Sequence, residues 1–446
     1  MVEAVYQLAR HPSQPKILLV APSNDAADIL VEKLSSTFPP SEMLRILAYS
    51  RSLDQLPPEV RRYGAEGLSG RPLADVVMAA RIVVSTVNNA SRLAWHGVPS
   101  GHFDVLCVDE AGHSTEPEVI AVASTLFDFQ GKSQGVAQIV LAGDPKQLGP
   151  VVTSMVCRKF GLSVSYMERL ASSELYARNE ENRYPADLIT KLVRNYRSHP
   201  AILKLPNEFF YDNDLVVSGD VISTHNLARW EHLPAQGFPL VFHAIHGDNQ
   251  REGRSPSWFN PEEAQEVANY VDLLINQTRP PLSQDEIGVV TPYARQAQKI
   301  RALLKHINFP DIKVGSVEIF QGQERRCIII STVRAETEHI ASDLKYNLGF
   351  VANSKRFNVA VTRAKSLLIV IGDPNVLATD KKNWLPFLMH CKENGSWRGD
   401  PWTEDTGEAD SVLESQDSES QDDEWQLLDA PSIAAFEVGG FINREE

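Results

Sequence analysis

The chain has 446 residues, 43% hydrophobic and 23% charged, which is ordinary globular composition, long enough for two or three packed domains and too apolar for disorder throughout. Its formal charge of -15 is concentrated: 15 acidic and 2 basic residues lie from Ser396 onward, which leaves a body of net charge -2 that can carry a local basic groove. Apolar runs such as Leu367 to Ile371 stop far short of the roughly 20 residues of a membrane span, no signal peptide is visible, and Cys107, Cys157, Cys327 and Cys391 are too scattered for a zinc site or disulfide framework; a soluble protein of the cytoplasm or nucleus, without a membrane partner, is expected.

In chain order, an amphipathic segment from Met1 to Arg10 precedes KILLVA at Lys16, the first of a series of Val- and Ile-rich runs without alternation. Such runs are strands buried on both faces. This one ends in Pro22, Ser23 and Asn24, and IVVST from Ile82 ends in Thr86. VLCVD from Val105 ends in two adjacent carboxylates, Asp109 and Glu110. Ligands of open α/β sheets bind outside the C-terminal ends of strands. In a phosphoryl-transfer site the first acid holds Mg²⁺ through water while the second orients or deprotonates the attacking water. A solvated strand end is the commoner meaning of an isolated Asp-Glu. QIVLAG from Gln138 runs into GDPKQLGPV, where Gly143 permits a tight turn, Pro145 stiffens it, and Gln147 can face a terminal phosphate as a neutral sensor. A plain strand-to-helix turn is the alternative.

After a polar stretch around Arg178 to Asp187 comes LVRNYRSHP, where Arg197 offers a planar cation for phosphate oxygens and Tyr196 a stacking face. LVFHA from Leu240 is the next strand. Asn260 then caps a helix with Pro261 in its first turn and Glu263 completing a capping box, and Ala264, Val267, Ala268, Val271, Leu274 and Ile275 form its apolar stripe. That helix is core-facing, with no chemistry implied. IGVVT from Ile287 leads into Thr291, Pro292 and Tyr293, which by themselves read as turn chemistry. SVEIFQGQE ends at Glu324 before CIIIST, and NVAVTRAK places Arg363 in a short helical segment just before the last strand, LLIVIGD. A guanidinium there can neutralise charge on a transferring phosphoryl group, or it can be an exposed helix arginine.

Strands alternating with helices predict an α/β fold of two domains with mostly parallel, doubly wound sheets, at residues 1–182 and 183–395. Residues 396–446 are expected to be an acidic disordered tail. Within it, Trp425, Leu427 and Leu428 are either a short protein-docking motif or an accidental apolar patch.

Taken in order, APSNDAAD, DEAGH, GDPKQLGPV, LVRNYRSHP, VTPY, VEIFQGQE and NVAVTRAK resemble the motor of superfamily one helicases of the nonsense-mediated-decay type. DEAGH followed by GLSVSYMERL is most similar to the Armitage-like RNA helicases of RNA silencing and antiviral control. The resemblance runs from Val2 to Gly395. It implies two RecA-like domains and an ATP-dependent RNA helicase that uses ATP and Mg²⁺ to move along single-stranded or partly duplex RNA. By it, Asp109 coordinates Mg²⁺, Glu110 activates water, Gln147 senses the γ-phosphate, Arg197 and Arg363 act as arginine fingers, Tyr196 stacks near the adenine and Glu324 binds the ribose. Pro22, Ser23, Asn24, Thr86, Thr291, Pro292 and Tyr293 would line the nucleic acid, with Pro292 and Tyr293 offering faces to bases.

One departure stands out: the sequence contains no G-x-x-x-x-G-K-[ST] phosphate loop. In the family, MVEAVYQLAR is similar to the continuation of the helix after that loop. The loop and its strand are therefore expected to lie outside these 446 residues, with negligible ATP hydrolysis by this chain. Strands left unpaired would cost roughly 1 to 3 kcal/mol for each buried polar group unsatisfied. A non-catalytic RNA-binding or scaffold protein that keeps the fold is the alternative function, and a DNA-directed relative a third.

Overall fold

The computed structural model describes residues 1–48, 51–64, 73–131, 136–181, 183–252, 257–336, 350 and 353–403. The segment around Trp425 lies outside the described residues. Two compact units divide between Lys191 and Leu192. Among the described residues no helix is long and apolar enough to cross a membrane.

The first unit is built on five parallel strands: β1 (Ile17–Ala21), β2 (Met43–Arg45), β3 (Ile82–Thr86), β4 (Val105–Val108) and β5 (Gln138–Leu141). Their order is β2-β3-β1-β4-β5. The unbroken apolar runs follow from burial on both faces. Ile17, Leu19 and Ala21 pack with the helices Val2–Arg10 and Asn24–Leu34, while Leu18 and Val20 join the core under the helix Glu116–Leu126. β5 departs from that expectation. It is the last strand in the order, Gln138 is exposed, and Ile139, Val140 and Leu141 are only half-buried.

The second unit opens with a short parallel ladder of β6 (Arg194–Asn195) and β7 (Val216–Val217). After β8 (Leu240–Ala244) the chain makes an antiparallel ribbon from β9 (Gln250–Arg251) and β10 (Trp258–Phe259). The sheet is completed by β11 (Ile287–Val290), β12 (Lys313–Gly315), β13 (Arg325–Ser331), β14 (Ala364–Gly372) and β15 (Trp397–Gly399). Its order is β12-β11-β13-β14-β8-β15, with every pairing parallel. Both units are thus parallel α/β, as expected. β2, β12 and β15 are three-residue strands, too short to leave a pattern in the sequence. Because β15 pairs with β8, ordered structure continues past Gly395 into the stretch expected to be tail.

The helix Pro261–Asp272 forms where expected, and the Asn260 side chain accepts from the Glu263 amide at 3.0 Å. The expected capping box does not close. Glu263 turns away from Asn260 and accepts instead from Ser331 Oγ at 2.6 Å and from the Val333 amide at 2.9 Å. Leu274 and Ile275 lie beyond the helix in a π-turn, Leu273–Gln277.

Candidate functional site

In the first unit the chemistry-bearing residues gather at the C-terminal ends of the strands. Thr86 follows β3, Pro22 to Asn24 follow β1, Asp109 and Glu110 follow β4, and Gly143 to Gln147 follow β5. The Asp109 amide still donates to Val20 of β1 at 2.8 Å, and the Ala111 amide donates to Ala142 beyond β5 at 2.8 Å. Between these two anchors Glu110 takes left-handed backbone angles, φ 49° and ψ 40°. A non-glycine residue held there costs about 1–3 kcal/mol, so the surroundings over-determine it.

The turn after β4 rests on the turn after β5, backbone against backbone. A Cβ on Gly143 would lie 2.9 Å from both the Ala111 and Gly112 amide nitrogens, and one on Gly112 would lie 3.1 Å from the Asp144 carbonyl. Close approach is what requires Gly143. Asp144 stiffens its own turn by accepting from the Lys146 amide at 2.9 Å and from Gln147 Nε2 at 3.0 Å. Burial raises the Asp109 carboxyl above its ordinary range, against the pull of the α-amino group, the Glu110 amide and Lys33. A half-buried carboxylate destabilised in this way suits a hard cation. Mg²⁺ is commonly held by one or two carboxylates with water and phosphate oxygens filling the rest of its shell, so Asp109 fits that role without a protein cage.

Ser23 and Thr86 serve as helix caps, accepting from the Ala26 and Asn89 amides. Beneath them, Asn24 accepts from Arg45 Nη2 at 3.1 Å, and the fully buried Arg45 is paired with Asp28 at 2.9 Å. Pro22 and Ser23 retain exposed surface.

In the second unit the candidates fall at two different ends of the sheet. Arg197, Glu324, Arg363 and Lys365 lie at the N-terminal ends of β13 and β14. Asn195 accepts from the Arg197 and Ser198 amides, each at 3.0 Å, and the Ser198 hydroxyl and His199 amide bond to the Ala364 and Lys365 carbonyls. This fixes Arg197 against Glu324, which also takes Lys365 Nζ at 2.6 Å. Burial alone would raise the Glu324 carboxyl, but the hydrogen bonds from Arg197 and Lys365 override it and bring it down to about 2. Arg363 is 1% exposed and donates to the Val359 and Gln323 carbonyls and to Thr362 Oγ1. It braces the turn that carries Gln323 and Glu324. Tyr196, at 64% exposure, presents an open ring.

At the opposite, C-terminal end of the sheet lie Thr291, Pro292 and Tyr293 after β11 and the Val333 loop after β13. Tyr293 has no ring face to offer a base: it is fully buried in a cluster with Trp258 and Val333, and supports its turn from beneath. Thr291 is also buried. The sequence reading missed the group that holds this end together. Glu263, fully buried, grips the Val333 amide, while Gln296 accepts from the Asn260 amide at 2.9 Å and donates to the Asn260 carbonyl at 3.1 Å and to Ser331 Oγ at 3.0 Å. Val333 has φ 76°, an outlier for a β-branched residue, and Glu263 is what makes it tolerable. Burial pushes the Glu263 carboxyl up to about 8 despite these donors. Lys365 was missed too. An acidic residue inside an amphipathic helix and a lysine before a strand carry no local signal of such roles.

Two family models described as AAA domain match residues 65–155 and 162–375. The RNA helicase Mov10l1 of Homo sapiens is 45% identical over 390 residues, 85% of this chain and 31% of its own length. The Drosophila melanogaster protein named "Probable RNA helicase armi" is 34% identical over 435 residues, covering 90% of this chain and 36% of its own. The chain thus spans about a third of the length of these relatives. Among solved structures, an arterivirus nonstructural protein 10 helicase with DNA aligns to 83% of this chain and 56% of its own, at TM-score 0.42 and 13% identity.

Proposed function

Since the chain belongs to the superfamily one helicases of the nonsense-mediated-decay type, in the group of Mov10l1 and armi, we propose that it is the motor of an ATP-dependent RNA helicase. The observation that carries this reading is the turn at Asp109 and Glu110, left-handed and locked against the Gly143 turn at the C-terminal edge of a parallel sheet. In this role Asp109 holds Mg²⁺ and Glu110 takes the proton of the attacking water, while Gln147 contacts the terminal phosphate. When bound, the ion neutralises phosphate charge. Arg197, half-exposed and already oriented by Glu324, supplies a cation to the phosphates, and the buried Arg363, expected from the sequence as a second finger, braces the turn of Gln323 and Glu324 beside it. Tyr196 stacks on the base of the nucleotide. Single-stranded RNA contacts strand-end turns in each unit, at Pro22 to Asn24 and Thr86 in the first and at Pro292 in the second, where Thr291 is buried and supports the turn; such turns suit a sequence-tolerant grip.

No phosphate loop of the form G-x-x-x-x-G-K-[ST] occurs among the 446 residues, so these residues by themselves turn over ATP negligibly, while the RNA-contacting turns do not depend on that loop. The test is a pair of radiolabelled ATPase assays, with and without single-stranded RNA. One uses the chain as it stands and the other the chain with a strand and phosphate loop joined in frame ahead of Met1. RNA-stimulated hydrolysis is expected only from the second, abolished by Glu110→Gln. Silence from both, with RNA binding intact, would favour a scaffold that retains the fold.

A further inference from the structure

The β9–β10 ribbon concentrates cations that no step above uses. Arg251 and Trp258 are direct cross-strand partners, and the Arg251 guanidinium carbon lies 3.8 Å from the Trp258 ring centroid. That of Arg334 lies 4.4 Å from the same centroid. Arg334 reaches this position because Val333 holds its left-handed backbone, so the strained residue gripped by Glu263 also aims a cation. On the neighbouring helix Ala294–His306, Lys299 sits 4.8 Å from the Phe259 ring centroid, and Arg295 lies one turn before it. The Ser257 hydroxyl accepts from the Arg295 amide at 3.1 Å and ties the helix to the ribbon.

Trp258 is 8% exposed, too buried to stack on a base, and Arg251 is exposed above it. The rings therefore act as platforms that restrict two otherwise mobile cations. Arg295, Lys299 and Glu252 keep 39%, 41% and 43% of their side chains exposed. Glu252 pairs with Lys299 at 2.5 Å and with Arg295 at 3.8 Å, while Arg251 lies over the Trp258 ring. A surplus of positive charge beside the Thr291 turn contrasts with a body of net charge -2.

We propose that Arg251, Arg295 and Lys299 form a phosphate rail for the backbone of single-stranded RNA, set by Trp258 and Phe259 and continuing the path from the turn at Pro292. The inference rests on the RNA-binding part of the proposed function. Backbone contact makes the rail indifferent to base and to sugar, and it makes its contribution salt-dependent.

The test is fluorescence anisotropy of a labelled pyrimidine RNA titrated with the full chain across a salt series. Arg251→Ala and Lys299→Ala should each weaken binding about four-fold near 0.15 M salt and flatten the slope of log affinity against log salt by about 0.7. Glu252→Gln should do the reverse and tighten binding. DNA of the same length should lose as much as RNA. Unchanged affinity and slope in all three variants would overturn the rail while leaving RNA binding in place, as would weakened binding with an intact slope and a lowered melting temperature. Absence of salt-dependent RNA binding by the unaltered chain would overturn both this proposal and the reading beneath it.

Discussion

The two ends of the second sheet are held by different physics. At the C-terminal end, Glu263, Gln296, Asn260 and Ser331 are all fully buried and bonded to one another or to backbone, and they anchor the Val333 amide. At the N-terminal end, Arg197, Glu324 and Lys365 are an ion cluster with about a third of each side chain exposed. A buried network is stiff because every broken bond leaves an unsatisfied group in a low dielectric. An exposed cluster exchanges partners at little cost, since water and salt screen it. The first arrangement suits a surface over which a polymer slides, the second a set of charges that must regroup around a changing ligand. The Glu110 turn in the first unit follows the stiff pattern, with glycine backbone contacts in place of side-chain bonds.

The largest expected effect breaks the stiff end. Glu263→Ala leaves the Val333 amide without its acceptor and should lower stability by about 2–4 kcal/mol, read as a shift in the urea midpoint; a shift as small as that of an exposed-site variant would dissolve the contrast. Next, Gly143→Ala pushes a methyl group into two amide nitrogens and should cost about 1–3 kcal/mol. Loss of RNA-stimulated hydrolysis in the loop-bearing chain should accompany it.

Glu263 also gives the stiff end a pH dependence. Its folded value of about 8 lies above the ordinary 4.5, so the fold favours the protonated form. Its contribution is full below pH 4.5 and is lost as pH rises toward 8. Glu263→Gln should flatten thermal stability across that window, and a wild-type slope retained by the variant would point to other groups. Glu324 behaves in the opposite sense. Its carboxylate is favoured in the fold, so its stabilisation is present above pH 4.5 and fades as pH falls toward 2. Given its exposure, Glu324→Gln should change stability at neutral pH by less than about 1 kcal/mol. Smallest of all, Tyr196→Ala should leave stability within about 0.5 kcal/mol and show itself only as weaker nucleotide binding in calorimetric titration of the loop-bearing chain.

Eight strands were legible in the sequence because each carries a local run of apolar, mostly β-branched residues, buried on both faces in all but β5, and the turns after them were legible because ligands meet parallel sheets at those ends. The helix at Pro261 was equally plain from its cap and its stripe. Tertiary structure alone decided the rest. Glu263 looked like half of a capping box until Ser331, 68 residues away, took its carboxylate. Tyr293 looked like a stacking face until Trp258 and Val333 covered it. Arg197 meets Glu324 across 127 residues of sequence, and Gly143 is required by amides of another strand's turn. Periodicity and capping are read from neighbours a few positions apart, whereas a buried charge, a covered ring or a backbone contact depends on which distant segment the fold brings alongside.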